Sequence, residues 1–288
     1  MIIDGKKFAQ KLRNKIKKEI QSIKKKTKLT PGLTVVLVGS HAPSAIYVKN
    51  KEISAKEVGI NSKILRFKSS ISEMKLISVI HKLNKDKKVH GILVQLPLPD
   101  KINGHKIIEE INPKKDVDGF HPINVGNLSS GKDALIPCTP LGCYLMIKSV
   151  RKNLAGLNAL IIGRSNLNGK PMAQLLLKED CTVTIGHSKT KKLKELCKKA
   201  DIIVAAVGRA NLVKGDWIKK GAIVIDVGIN RVENKKGYKI VGDVEFKSVV
   251  KKARFISPVP GGVGPVTIAC LLSNTLDTFK KINNTKKN

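Results

Sequence analysis

Several groups of residues in this chain have the types and spacing that chemistry requires. Tyr47 and Lys51 stand four apart, so on a helix they share one face. A lysine beside an aromatic ring in a cleft can have its pKa lowered and shuttle a proton. A solvated lysine on a helix surface is the plainer alternative. Gln95 ends the apolar run Gly91-Ile92-Leu93-Val94. An apolar side chain would cost less there, so the amide has a purpose. Lys115-Asp116-Val117-Asp118-Gly119-Phe120 places two carboxylates in one loop, as ligand-facing acids or as an Asx turn.

The second half opens differently. Gly163-Arg164-Ser165-Asn166-Leu167-Asn168-Gly169-Lys170-Pro171 lies between an apolar strand and a helix. Such a turn aims backbone N–H groups and a helix N-terminus at a phosphate. It matches neither G-x-G-x-x-G nor a Walker A, so alone it is equally an ordinary tight βα turn. The end of the next strand reads Gly186-His187-Ser188-Lys189, with no acid to bind a ribose 2′-hydroxyl. With Arg164 in the first turn, the cationic and hydroxylic character favours NADP over NAD; the plainer alternative is that His187 and Lys189 are solvated loop residues. Further strands end at Gly208 and at Asp226-Val227-Gly228-Ile229-Asn230. Pro258-Val259-Pro260-Gly261-Gly262-Val263-Gly264-Pro265 packs three glycines into four positions, which suits close backbone contact with a ligand.

These groups need elements to hold them. Phe8, Leu12, Ile16, Ile20 and Ile23 recur at helical spacing. Leu33–Val38 reads as a buried parallel strand. A helix from Ser44 to Val58, a strand Ile64–Phe67, a helix from Ser72 and a strand Val89–Val94 follow. A polar stretch from Asn112 to Pro137 is the best domain boundary, and Thr139-Pro140 carries N-cap and N1 chemistry. Alternation resumes with strands at Ala159–Ile162, Thr182–Ile185 and Ile202–Val207, helices at Pro171–Lys178 and Lys191–Lys199 between them, and a further strand at Ala222–Val227. The expectation is an α/β protein of two domains, each with a mostly parallel sheet flanked by helices. Residues 1–138 form the first domain, and 139–264 form a Rossmann-type domain. A helix of about 265–288 packs back onto the first.

Composition excludes more than it assigns. In 288 residues, 55 Lys+Arg against 22 Asp+Glu give a net charge of +33. Yet only seven of the basic residues are Arg, and aromatics make up 3 %, poor equipment for base readout or stacking. The charge reads as a lysine-biased surface that attracts small anions, not as a specific nucleic-acid reader. No apolar run has the length of a membrane span. Five Cys form no C-x-x-C, and six His form no H-E-x-x-H, so neither a disulfide framework nor a metal is expected. A reducing cytoplasm fits.

Taken together, several segments resemble the bifunctional methylenetetrahydrofolate dehydrogenase/methenyltetrahydrofolate cyclohydrolase family. They are Ser44-x-x-Tyr47-Val48-x-x-Lys51, Gly91-Ile92-Leu93-Val94-Gln95-Leu96-Pro97-Leu98-Pro99, Lys115–Phe120, Pro137-Cys138-Thr139-Pro140, Gly163-Arg164-Ser165, His187-Ser188 and Pro260–Pro265. They fall in family order across nearly the whole chain. Departures at Asn168, Val266 and the order Ala42-Pro43 remove no chemically active group. Another two-domain NADP oxidoreductase, similar to shikimate dehydrogenase, shares the alternation but leaves Tyr47-x-x-x-Lys51 and the Gln95 segment unexplained.

The resemblance implies oxidation of 5,10-methylenetetrahydrofolate by NADP+ and hydrolysis of the methenyl product to 10-formyltetrahydrofolate. It implies Lys51 as the acid/base group, Gln95 as its holder, and Tyr47 stacked on the p-aminobenzoyl ring with Ser44 beside it. Asp118 would bind the pterin edge, and Pro260, Gly261 and Gly262 would line the folate and nicotinamide side. Arg164 and Ser188 would grip the 2′-phosphate and Ser165 the neighbouring phosphates. Gly163, His187, Gly208, Gly228, Ile229 and Thr139 complete the cofactor contacts. A homodimer is also implied.

Overall fold

The computed structural model describes residues 1–40, 42–234 and 237–284, so residues 285–288 of the expected final helix lie outside it. It divides into two compact units. One takes Gln10–Cys138 and the chain from Ile268 on; the other takes Met1–Ala9 and Thr139–Thr267.

In the first unit, helix α1 (Gly5–Thr27) buries Ile16 and Ile20 and ends on Lys24, Lys25 and Lys26, where cations suit the exposed carbonyls. Strand β1 (Gly32–Val38) is buried throughout, as suits a run that is apolar but for Thr34. It lies between β2 (Asn61–Phe67) and β3 (Gly91–Val94), parallel to both. The edge strand β2 is partly exposed instead, with Asn61, Lys63 and Arg66 open to solvent. Helix α2 (Ala42–Val58) connects β1 to β2. Helix α3 (Glu73–Lys85) begins as expected at Ser72, whose hydroxyl accepts the N–H of Lys75. Its Leu76, Ile80 and Leu83 pack on Val36, Val38, Ile92 and Val94. Each such buried side chain contributes roughly 1.5–3 kcal/mol.

Two short helices, α4 (Gly104–Glu109) and α5 (Pro122–Ser129), follow β3. The second lies in the stretch read as a polar boundary. Only Asn124 and Leu128 are buried on it, too few for a periodic signal.

The second unit begins with α6 (Cys138–Val150), one residue before the expected cap. It continues through β4 (Asn158–Ile162), α7 (Gly169–Leu177), β5 (Thr182–Gly186), α8 (Leu193–Lys199), β6 (Ile202–Ala205) and β7 (Ile223–Asp226). A hairpin of β8 (Asn230–Asn234) and β9 (Gly237–Val241) follows, then α9 (Phe246–Val249), β10 (Phe255–Ile256) and the start of the long α10 (Val263–Asn284), which from Ile268 on belongs to the first unit. The sheet order is β10-β7-β6-β4-β5, and every pairing is parallel. Its core joins Leu160 and Ile162 of β4 to Ile203, Ala205, Val224 and Ile256. The chain leaves β4 for β5 on one side and then β6 on the other. The strand order therefore switches between β4 and β6, where doubly wound folds bind ligands at the strand C-termini. The antiparallel hairpin was not expected. Its residues are largely polar, and its aromatic, Tyr238, packs under the Arg231 guanidinium at 3.8 Å. Among the described residues no helix is long and apolar enough to cross a membrane.

Candidate active site

Residues Ser44, Tyr47 and Lys51 of α2 recur at i, i+3 and i+7, one helical face. Ser44 and Lys51 are buried, Lys51 to 4 % exposure. Lys51 Nζ donates to Gln95 Oε1 at 3.0 Å and lies 4.7 Å from the centre of the Tyr47 ring. Gln95 follows β3 directly, and its Nε2 donates to the Leu96 carbonyl at 2.7 Å. That second bond fixes which amide atom faces the lysine. Burial holds the Lys51 ammonium below its ordinary pKa, and the negative charge of Asp118 opposes that shift.

Asp118 stands in a loop held from several sides. Its carboxyl is pushed up by burial, with Lys51 and the Cys138 thiol pulling the other way. Ile92 N–H donates to the Lys115 carbonyl at 2.8 Å, stitching the loop to β3. Lys115, buried at 7 % exposure, donates through Nζ to the carbonyls of Leu83, Asn84 and Asp86, capping the end of α3. Asp116 accepts the N–H groups of Gly119 and His121 and the Asn124 amide. Of the two alternatives for the loop carboxylates, the turn describes Asp116, while Asp118 is the acid beside Lys51. On α10, Asn274 Nδ2 donates to the carbonyls of Val117 and Ile136, both at 2.9 Å. The Cys138 thiol also donates to Val117 O, and burial pushes that thiol well above its ordinary pKa.

In the other unit the glycine turn lies at the switch point. Gly163 has φ +124°, and a Cβ there would stand 2.4 Å from Ala206 O. Only glycine allows β4 and β6 to end this close together. A cavity of about 380 Å³ opens at the turn, lined by Gly163, Arg164, Ser165, His187, Ser188, Thr190, Val207 and Arg209 among others. None of its lining residues is acidic, and Arg164 and Arg209 supply two fixed cations. Ser165 Oγ accepts the N–H of Asn168 just before α7, and His187 Nδ1 accepts the N–H of Lys189. This donor set fits a dinucleotide with an added phosphate better than one whose ribose hydroxyl needs a carboxylate.

The remaining expected contacts lie elsewhere in this unit. Thr139 Oγ1 shares a hydrogen bond with Thr267 Oγ1 at 3.2 Å and does not line the cavity. Gly208 follows the lining residue Val207, Gly228 donates to Asp226 Oδ1 at 3.0 Å, and Ile229 is exposed. Pro260, Gly261 and Gly262 belong to this unit, where the Gly261 carbonyl accepts the N–H of Lys6 at 3.1 Å. Sequence reading missed Asp243, Lys115 as a cap, and Asn274. Each is a polar residue in an unremarkable local setting whose partners are distant in sequence. Among the described residues no cluster of His, Cys, Asp or Glu could hold a metal ion.

Comparison with known proteins adds an independent line. The family model described as tetrahydrofolate dehydrogenase/cyclohydrolase, catalytic domain, matches residues 3–118. The model for the NAD(P)-binding domain of the same family matches residues 137–283. The bifunctional protein FolD of Pelagibacter ubique is 61 % identical over 281 residues, covering 98 % of this chain and 99 % of that protein. The crystal structure of the bifunctional FolD dehydrogenase/cyclohydrolase from Campylobacter jejuni superposes with a TM-score of 0.94 at 46 % identity, covering 98 % of this chain and 99 % of the other. The Trypanosoma brucei enzyme, solved with NADP cofactor and an inhibitor, gives 0.94 at 35 % identity, covering 98 % of each chain.

Proposed function

The chain belongs to the tetrahydrofolate dehydrogenase/cyclohydrolase family, and from that premise we propose how its own residues divide the work. The protein oxidises 5,10-methylenetetrahydrofolate with NADP+ and hydrolyses the methenyl product to 10-formyltetrahydrofolate. When bound, NADP+ supplies the acceptor for the hydride of the methylene carbon. Arg164 and Ser188 hold its 2′-phosphate, Ser165 and the N-terminus of α7 the neighbouring phosphates, with Gly163, His187, Gly208, Gly228, Ile229 and Thr139 completing the contacts. The carbon that gives up the hydride is flanked by two nitrogens, so this step asks for positioning and no strong base.

Hydrolysis needs a group that takes a proton and returns it. Lys51 is that group. As a free amine it accepts a proton from water as the water oxygen bonds to the methenyl carbon. The ammonium then returns the proton to N5 as the carbon–N5 bond breaks. Loss of the remaining hydroxyl proton leaves the formyl group on N10. Gln95 orients Lys51 with a neutral oxygen, which leaves the proton free to move. Tyr47 stacks on the p-aminobenzoyl ring next to Ser44. Asp118 accepts hydrogen bonds from the pterin edge, and Pro260, Gly261 and Gly262 line the folate and nicotinamide side.

The observation that carries this reading is the buried Lys51 ammonium 3.0 Å from the pinned Gln95 oxygen. Burial favours the free amine that the hydrolytic step consumes. A homodimer and a cytoplasmic location belong to the same proposal. The first rests on the family, and the second is supported by five cysteines of which none forms a disulfide. The test is a spectroscopic assay with methylenetetrahydrofolate and NADP+ that follows methenyl and NADPH absorbance together. NADPH should accumulate while the methenyl signal passes through a maximum and decays. No NADPH, or methenyl decay no faster than without protein, would overturn the reading.

A further inference from the structure

The nucleotide-binding unit buries two carboxylates that its assigned contacts do not use. Asp243 follows β9 at 0 % exposure, and Asp226 ends β7 at 3 %. Among the described residues neither is paired with a basic side chain. Their partners are almost entirely backbone. Asp243 Oδ2 accepts the N–H groups of Val207 (2.6 Å) and Gly208 (3.0 Å). Its Oδ1 accepts the N–H of Arg209 (2.8 Å) and the Asn230 side-chain amide (2.9 Å). Three successive N–H groups thus converge on one carboxylate, the arrangement by which a turn usually captures a free anion.

Asp226 stands behind this contact. Its Oδ1 accepts the N–H groups of Gly228 (3.0 Å) and of Asp243 itself (2.9 Å), and Oδ2 accepts that of Val244 (3.0 Å). A Cβ on Gly242 would stand 1.7 Å from Asp226 Oδ2, so that backbone approaches as only glycine can. The turn that Asp243 holds is no remote loop. Val207 and Arg209 line the cavity that opens at Gly163.

We propose that Asp243, braced by Asp226, is a positioning residue for cofactor binding: its carboxylate occupies the Val207–Arg209 amides as an internal anion and sets that turn against the nucleotide. The inference rests on the assignment of this cavity to NADP. An ion pair would hold the turn through one flexible side chain. A carboxylate holding consecutive amides fixes the backbone itself and denies those amides to a misplaced phosphate. The role is specific to the dehydrogenase step, because Lys51 and its partners belong to the other unit.

The test is Asp243→Asn in the full-length protein, with both activities measured separately. The amide places an NH2 group against backbone N–H donors. The KM for NADP+ should rise at least 10-fold, with kcat at saturating NADP+ and hydrolysis of supplied methenyltetrahydrofolate each within about threefold of wild type. An unchanged KM for NADP+ would overturn the proposal. So would parallel loss of both activities with a lowered melting temperature, since that marks a merely structural role. If Asp243→Asn does not fold, Asn230→Ala keeps the carboxylate and removes one donor. It should raise the same KM about threefold, and an unchanged value overturns the proposal as well. Wild-type protein lacking NADP-dependent oxidation would instead sink the functional assignment, so the two failures are distinct.

Discussion

Lys51 and Gln95 are joined by a 3.0 Å hydrogen bond in which the lysine is the donor and a neutral amide oxygen the acceptor. The amide cannot turn over without losing the bond from its own Nε2 to Leu96 O. Its neutrality matters as much as its geometry. A carboxylate at the same place would stabilise the ammonium and hold the proton on it. The amide aims the nitrogen and leaves its proton affinity to burial, which lowers it.

Replacing that neutral acceptor with a charged one should therefore slow hydrolysis without removing any group. In Gln95→Glu the new carboxylate raises the Lys51 pKa. Methenyltetrahydrofolate hydrolysis near neutral pH should fall at least 10-fold, and the rising limb of its pH profile should move to higher pH. The check is the initial hydrolysis rate from pH 6 to 9.5, corrected for the protein-free reaction. A profile that drops in height without moving would show that the amide does something else.

Lys51→Met removes the proton carrier and keeps most of the apolar stem. Hydrolysis should fall by about 10²–10⁴-fold, the usual contribution of a positioned acid/base. The protein should stay folded, because a lysine nitrogen no longer has to be taken out of water. Hydrolysis rate and circular dichroism on the same sample decide it. Undiminished hydrolysis would remove Lys51 from its role.

Legibility in the sequence followed periodicity and motif. β1 was readable because Leu33–Val38 is rich in β-branched and apolar residues, and the strand runs Gly32–Val38. The Ser72 cap was readable because capping is local. Tyr47, Lys51 and Gln95 stood out by type against their surroundings, and the resemblance gave them roles. The β8–β9 hairpin was not legible, since its polar strands carry no alternation. Nor were Asp243 and Lys115. Asp243 meets its amides 34 to 36 residues back along the chain, and Lys115 meets its carbonyls 29 to 32 residues back. Nothing in their own neighbourhoods marks such pairings. Long-range hydrogen bonds between polar side chains and backbone are set by topology, which a propensity argument does not see.

Cofactor preference should rest on Arg164. Its exposed side chain lines the nucleotide cavity, and no acid in that lining would favour a free 2′-hydroxyl. Arg164→Ala should lower kcat/KM for NADP+ by about 10–100-fold, in line with roughly 1.5–3 kcal/mol for hydrogen bonds to a charged group. The value for NAD+ should change little. Steady-state kinetics with both nucleotides measures this. An equal loss with each would mean that Arg164 reads a shared phosphate.

The Asp226 carboxyl gives the fold a pH dependence of definite sign. Burial pushes it up to about 7, and the charge of Asp243 adds to the shift while the N–H groups of Asp243, Val244 and Gly228 oppose it. An unfolded aspartate titrates near 3.8, so the folded state binds this proton more tightly. The stabilisation is fully present below the unfolded value and is lost as pH rises through about 7. Besides Asp243, the charged groups lining the cavity next to Asp226 are Lys239, Glu245, Lys247 and Lys251. Asp226→Asn resembles the protonated acid and cannot ionise. Between pH 5 and 8 its melting temperature should gain on that of wild type by several degrees, at ~1.4 kcal/mol per pKa unit and ~2–4 °C per kcal/mol. Scanning fluorimetry of the two proteins in matched buffers reads the difference directly. Melting curves that stay parallel across that range would show that Asp226 does not take up its proton there.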